Sequence, residues 1–179
     1  MEPTTRIGNT QDLFEAQVNQ MVCKRALPEV VAFLFTKRGP DQAKEDLRDI
    51  ANIITHRLLL VWTPKKRKPV ELIKEMMYVF FGNKKIKGKI LERINKKPSK
   101  IAIRDYDCPI CPDRKGEEVV IKGLHYCVPV SGAMEAVLNY MSERKLVPFT
   151  KVKVQTEKST GSGDPYCEHI LTLEYSTRG

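Results

Sequence analysis

Cys108-Pro-Ile-Cys111 is the pair best spaced for chemistry in this sequence. Two intervening residues let both sulfurs turn to one side of a tight bend, at the separation a tetrahedral ion requires. Cys127 follows after 15 residues and Cys167 after a further 39. Four thiolates satisfy a zinc ion completely and leave no position for water, which marks a structural site rather than a catalytic one. Other donors stand close by. His125 lies two residues before Cys127, His169 two after Cys167, and Glu157 ten before Cys167. Alternate residues of a strand face the same way, so either histidine could replace its neighbouring cysteine, with Glu157 as a third substitute. Iron would suit the same thiolates, and the competing explanation is a set of cysteines buried without any metal.

Other chemistries find less support. A redox pair of the thioredoxin kind sits at a helix N-terminus within a βαβ pattern, whereas Cys108 and Cys111 follow a strand and precede a charged loop. His56, His125 and His169 come with no nucleophile motif, and His56 falls within an amphipathic helix as a core or boundary residue. Glycine-rich phosphate loops are absent, so a nucleotide cofactor has no foothold. The expectation is a binding or structural protein, not an enzyme. Met1–Leu13 contains no apolar stretch of the signal-peptide kind, and no run approaches the ~18 apolar residues of a membrane span. The expected location is the cytosol, where clustered cysteines serve as ligands rather than disulfides.

The 179 residues carry a net charge of +9, and its distribution is uneven. Between Lys65 and Lys100 there are 13 Lys or Arg against three Glu, so the rest of the chain is nearly neutral. Such a stripe, opening with Lys65, Lys66, Arg67 and Lys68, could meet nucleic acid or an anionic surface. A solvated lysine-rich face, common in proteins from hot environments, explains it equally simply and is favoured, because the window holds few aromatics for stacking on bases.

The elements that must position these groups read as helices first and strands later. Leu13, Phe14, Val18, Met21 and Val22 recur at helical spacing. A helix opens at Pro28 and ends before Gly39, and the longest runs from about Asp41 to Trp62 with Leu47, Ile50, Ala51, Ile54, Leu58 and Val61 on one stripe. A fourth opens at Pro69 and stops at Gly82. Ile86–Ile94 reads as an edge strand and Ile101–Ile103 as another, followed by a loop from Asp107 to Glu118. Ser131-Gly132 opens a helix, Val152 and Val154 lie on a strand, Thr156–Pro165 is a turn, and Ile170–Glu174 closes the chain as a strand. This order predicts an α+β fold. Residues 1–82 form a mainly helical half and residues 83–179 an α/β part with the zinc site, within one compact domain.

The segments Cys127–Leu138, Val152–Ser159 and Gly163–His169 resemble the 4-vinyl reductase domain, also described as a hydrocarbon-binding domain. The Gly163-Asp-Pro-Tyr-Cys-Glu turn is the most specific element, and the likeness is to an archaeal member. The resemblance implies helices packed on an antiparallel twisted sheet, similar in architecture to subunits of the TRAPP tethering complex, usually as a homodimer with a zinc-stapled C-terminal lobe. It implies that Cys127 and Cys167 are zinc cysteines and that Glu157 falls near an acidic ligand. Ser159 departs from the pattern, standing where relatives commonly have cysteine, and the Cys108/Cys111 knuckle would supply the missing thiolates. No hydride-donor site supports the reductase name.

Three functions follow. The first is a module binding a small hydrophobic molecule, with Trp62, Met77, Tyr78 and Phe81 as pocket candidates, although core packing explains such residues individually. The second is a dimeric scaffold or interaction subunit, which an exposed apolar helix face would support. The third is a basic zinc protein that binds nucleic acid.

Overall fold

The computed structural model describes residues 18, 22–83, 85–112 and 124–176. Leu13, Phe14 and Met21 of the expected first helix lie outside them. Val22–Ala26 forms a π-helical turn that runs into α1 (Leu27–Arg38), whose first turn holds Pro28 where the missing N–H is no loss.

Helix α2 (Pro40–Leu58) ends four residues earlier than its apolar spacing suggests. Thr63 precedes Pro64, which disfavours helical backbone, and the chain closes with turn bonds from Val61 and Trp62 N–H to the Leu58 carbonyl. Its buried face is also not the expected stripe. Ile50, Ile54 and Val61 are exposed, while Ala43, Leu47, Ala51 and Thr55 are buried at four-residue steps. The partner helix explains the choice. A Cβ at Gly132 of α4 (Val128–Glu143) would stand 3.0 Å from Ala51 Cβ and 3.2 Å from the Arg48 backbone. Backbone approach this close selects the small-residue ridge over the more apolar one.

Helix α3 (Pro69–Phe81) buries Leu72, Ile73, Met76 and Met77 and stops at Gly82 as expected. Helix α4 starts at Val128 rather than Ser131, with Pro129 in its first turn. Ser131 is inside it, its hydroxyl bonded to the Val128 carbonyl at 2.7 Å.

Four antiparallel strands follow the order β1-β2-β4-β3, with β1 (Ile86–Ile94), β2 (Lys97–Asp105), β3 (Lys151–Lys158) and β4 (Cys167–Glu174). Asn95 and Lys96 both adopt positive φ, which matches the strand twist and closes the two-residue β1–β2 hairpin. Strand β3 pairs through Lys158, so the expected turn at Thr156 begins instead at Ser159. One sheet face carries Ile101, Ile103, Val152, Val154, Leu171 and Leu173 into the core, and the opposite face carries mostly charged residues. The free edge of β3 is covered by side chains. Asn139 of α4 bonds both N–H and C=O of Val152, while Glu135 accepts from Val154 N–H and Arg48 donates to its carbonyl. These bonds leave little of that edge to recruit another strand. Among the described residues no helix is long and apolar enough to cross a membrane.

Candidate metal centre

Three separate stretches bring four sulfurs together. The end of α3 starts the arrangement: bonds from Gly82 and Asn83 N–H back to the Tyr78 and Met77 carbonyls cap the helix and leave the Asn83 side chain buried beside β2. Its amide donates to Asp105 Oδ1 at 2.8 Å and to the Asp107 carbonyl at 3.1 Å, fixing the loop that leaves β2. Cys108 and Cys111 sit on that loop, Cys127 precedes α4, and Cys167 opens β4 directly opposite Asp105. Gly161 makes the last approach possible, because a Cβ there would stand 2.5 Å from the Tyr126 ring and 3.0 Å from Pro112.

All four cysteines are buried, and their Sγ atoms lie within 4.8 Å of one another. Tetrahedral zinc with sulfur at about 2.3 Å needs sulfur–sulfur edges of about 3.8 Å. Cys111 and Cys167 are 3.4 Å apart, so small adjustments would fit the ion. The surroundings suit an anionic centre. Thr160 N–H points at Cys167 Sγ at 3.3 Å, and the Ser159 hydroxyl lies 3.3 Å from Cys111 Sγ. Lys24, from the π-helical turn, donates its ammonium to the Cys108 and Cys111 carbonyls.

Proton affinities differ among Cys108, Cys111 and Cys127. Cys111 is held far below the ordinary thiol range because Cys108, then Cys127 and Cys167, donate toward its sulfur. Cys108 is pushed up chiefly by the S–H it gives to Cys111, and burial pushes the Cys127 thiol up. A bound cation would take the cysteines as thiolates and release their protons.

The proposed substitutes do not join the sulfurs. His125 Nδ1 lies 3.0 Å from the Thr156 carbonyl, and His169 Nδ1 lies 3.1 Å from Thr156 Oγ1. Glu157 is exposed. His169 is fully buried one row along the inner face from Cys167, and burial brings its imidazole down to about 4. Its Nε2 and the Oδ2 of Asp105 are buried without a hydrogen-bond partner among the described residues. Burial raises the Asp105 carboxyl above the usual carboxylate range.

The expected pocket residues do not converge on one site. Met77 is core, Tyr78 is exposed, and Trp62 and Phe81 are half-buried with Phe80 between them in edge-to-face contacts at 5.1 and 6.2 Å. A cleft of about 230 Å³ opens instead between α2 and α4, lined by polar groups that include His56, Glu135, Asn139 and Glu143. Lys65–Lys68 lie exposed in the α2–α3 connection, where the Lys65 and Lys66 N–H groups are held by the Glu75 carboxylate. Lys24 and Asn83 are the site residues sequence reading missed. Asn83 carried a signal, being the first polar residue after a glycine helix stop, and Lys24 carried none.

No protein-family model matches the chain, and no curated protein matches it in sequence. Solved structures do. The phenol-responsive sensory domain of the transcription activator PoxR, crystallised with phenol, is similar with a TM-score of 0.52 at 12% identity, over 83% of this chain and 73% of that one. A trafficking protein particle complex subunit 3 from Naegleria fowleri, covalently bound to palmitic acid, aligns with a TM-score of 0.41 at 15% identity, over 95% of this chain and 90% of that one. The first likeness shows the fold alone, helices on one antiparallel sheet; the four cysteines that could hold a metal ion are read from this chain itself.

Proposed function

We propose that the chain is a binding module for a small hydrophobic molecule, sensory or regulatory in role, whose cysteine lobe is stapled by one structural zinc ion. Four buried sulfurs within 4.8 Å of one another carry the metal half of the reading, and the likeness in fold to a phenol-responsive sensory domain supports the ligand half. Zinc takes all four, keeps no open position, and supplies folding energy rather than catalysis. The module is not an enzyme, works in the cytoplasm and folds as one compact domain. Its place beside the 4-vinyl reductase and hydrocarbon-binding domains rests on the Gly163–His169 turn and on the sensory-domain fold. The phenol held by the similar sensory domain supports a ligand of that chemical kind.

Native mass spectrometry of freshly purified protein, repeated after denaturation, tests both halves of the reading. One zinc per chain with an extra small mass lost on denaturation is expected. A metal-free chain would remove the staple, and zinc without any ligand uptake from a panel of small aromatics would remove the module.

A second reading, a homodimeric scaffold, is favoured by one observation. Phe33 of α1 and Ile50, Ile53 and Ile54 of α2 are exposed, as are Leu60 and Val61 just beyond, a denser apolar surface than a solvated helix pair needs. Sedimentation equilibrium should give a dimer that Ile53→Glu converts to a folded monomer. A monomeric wild type would exclude it.

A further inference from the structure

The face of the sheet turned away from the core carries a feature independent of the metal. Register aligns Lys87 of β1, Arg104 of β2, Glu168 of β4 and Lys158 of β3 in one row across all four strands. Lys89, Ala102, Ile170 and Gln155 form the next row, and Glu92, Lys100, Thr172 and Lys153 the one after. Two of the carboxylates are already engaged, Glu168 by Arg104 at 2.7 Å and Glu92 by Lys100 at 3.5 Å. Glu174 stands opposite Lys151 at the far end. The remaining lysines leave the face cationic.

Aromatic rings stand at the end of this surface. Tyr106 and Tyr166 approach to 5.4 Å between centroids, with Arg104 at 4.9 Å over Tyr166 and Lys87 at 5.1 Å over Tyr106. Lys158 also lies 5.2 Å from the Tyr166 ring centroid. Tyr106 remains 44% exposed, so its ring offers a stacking surface. Cations interleaved with rings on an open sheet suit phosphates and unstacked bases together. A duplex would present no base faces to Tyr106, and a membrane surface would call for more apolar side chains than Ala102 and Ile170, the two in these rows.

We propose that this uncovered face binds single-stranded nucleic acid, with a base stacked on Tyr106 and the phosphates tracking the lysines of β1 and β3. The lysine-rich window of the sequence hides the arrangement. Its described lysines fall in the α2–α3 connection, on α3 and in or beside the β1–β2 hairpin, whereas the rings come from Tyr106, just beyond it, and Tyr166, sixty residues on.

Fluorescence anisotropy with a labelled oligouridylate tests the proposal. Binding should weaken with salt, with a log–log slope that falls by about 1.4 when Lys87→Glu and Lys153→Glu remove two phosphate contacts. Tyr106→Ala should weaken binding about ten-fold and Tyr106→Phe should retain it. Both lysines are exposed, so the double variant should keep the wild-type melting curve, and it decides the matter if Tyr106→Ala perturbs the loop. No binding at low salt would overturn the proposal. Equal affinity for a duplex, tighter association with phosphatidylserine vesicles, or loss only on changing Lys65 and Lys66 would overturn it as well.

Discussion

The cysteine lobe and the seam between α2, α4 and β3 are built in opposite ways. At the seam, Gly132 lets two helix backbones meet, and Arg48, Glu135 and Asn139 bond the edge of β3 directly. Among the described residues, no buried side-chain N or O atom of that seam lacks a hydrogen-bond partner. In the lobe, three stretches far apart in sequence meet at four sulfurs, with one S···S approach of 3.4 Å and two orphaned polar atoms alongside. The seam is held by direct backbone packing and by side-chain bonds from within the chain. The lobe gathers four sulfur donors that could hold a metal ion.

The difference predicts where removal hurts most. Cys108→Ser, or chelation of the wild type, should release the metal and lower stability by several kcal/mol, read as a fall in melting temperature that vanishes in the chelated background. Gly132→Val should come next at the seam, costing about 1–3 kcal/mol through overpacking against Ala51 and Arg48, with metal content unchanged. Asn139→Ala should cost about 1–2 kcal/mol by orphaning the Val152 backbone, and concentrated protein should then aggregate through the uncovered β3 edge. Exchanging the cysteine position sharpens the contrast. The double variant Cys111→Ser with Ser159→Cys should recover metal that Cys111→Ser alone has lost, because Ser159 Oγ lies 3.3 Å from that sulfur. Neutralising Lys65 and Lys66 should shift stability by less than about 0.5 kcal/mol, since their side chains are exposed and only their backbone is held.

Both regions left traces in the sequence, of unequal quality. The cysteine set was legible because ligand chemistry restricts residue type and the two-residue spacing restricts geometry. Helix α3 was legible from its proline start and glycine stop, and β1 from its lysines and Gly88. The seam was not. Apolar periodicity on α2 favoured Ile50 and Ile54, but packing was decided by Gly132 on a helix 80 residues away, and only the fold brings that glycine to Ala51. The start of α4 is hidden for a related reason: Ser131 looks like a cap, yet its hydroxyl serves the helix from within. Pocket residues chosen for aromatic content were dispersed among core, surface and linker, since composition says nothing about which face a ring occupies.

Metal content measured on freshly purified protein, with melting followed before and after chelation, tests the central claim most directly. One zinc per chain, lost together with each cysteine-to-serine change and with several kcal/mol of stability, is the predicted result. A protein that purifies without metal, takes up none when zinc is added, and melts unchanged in chelator would contradict it.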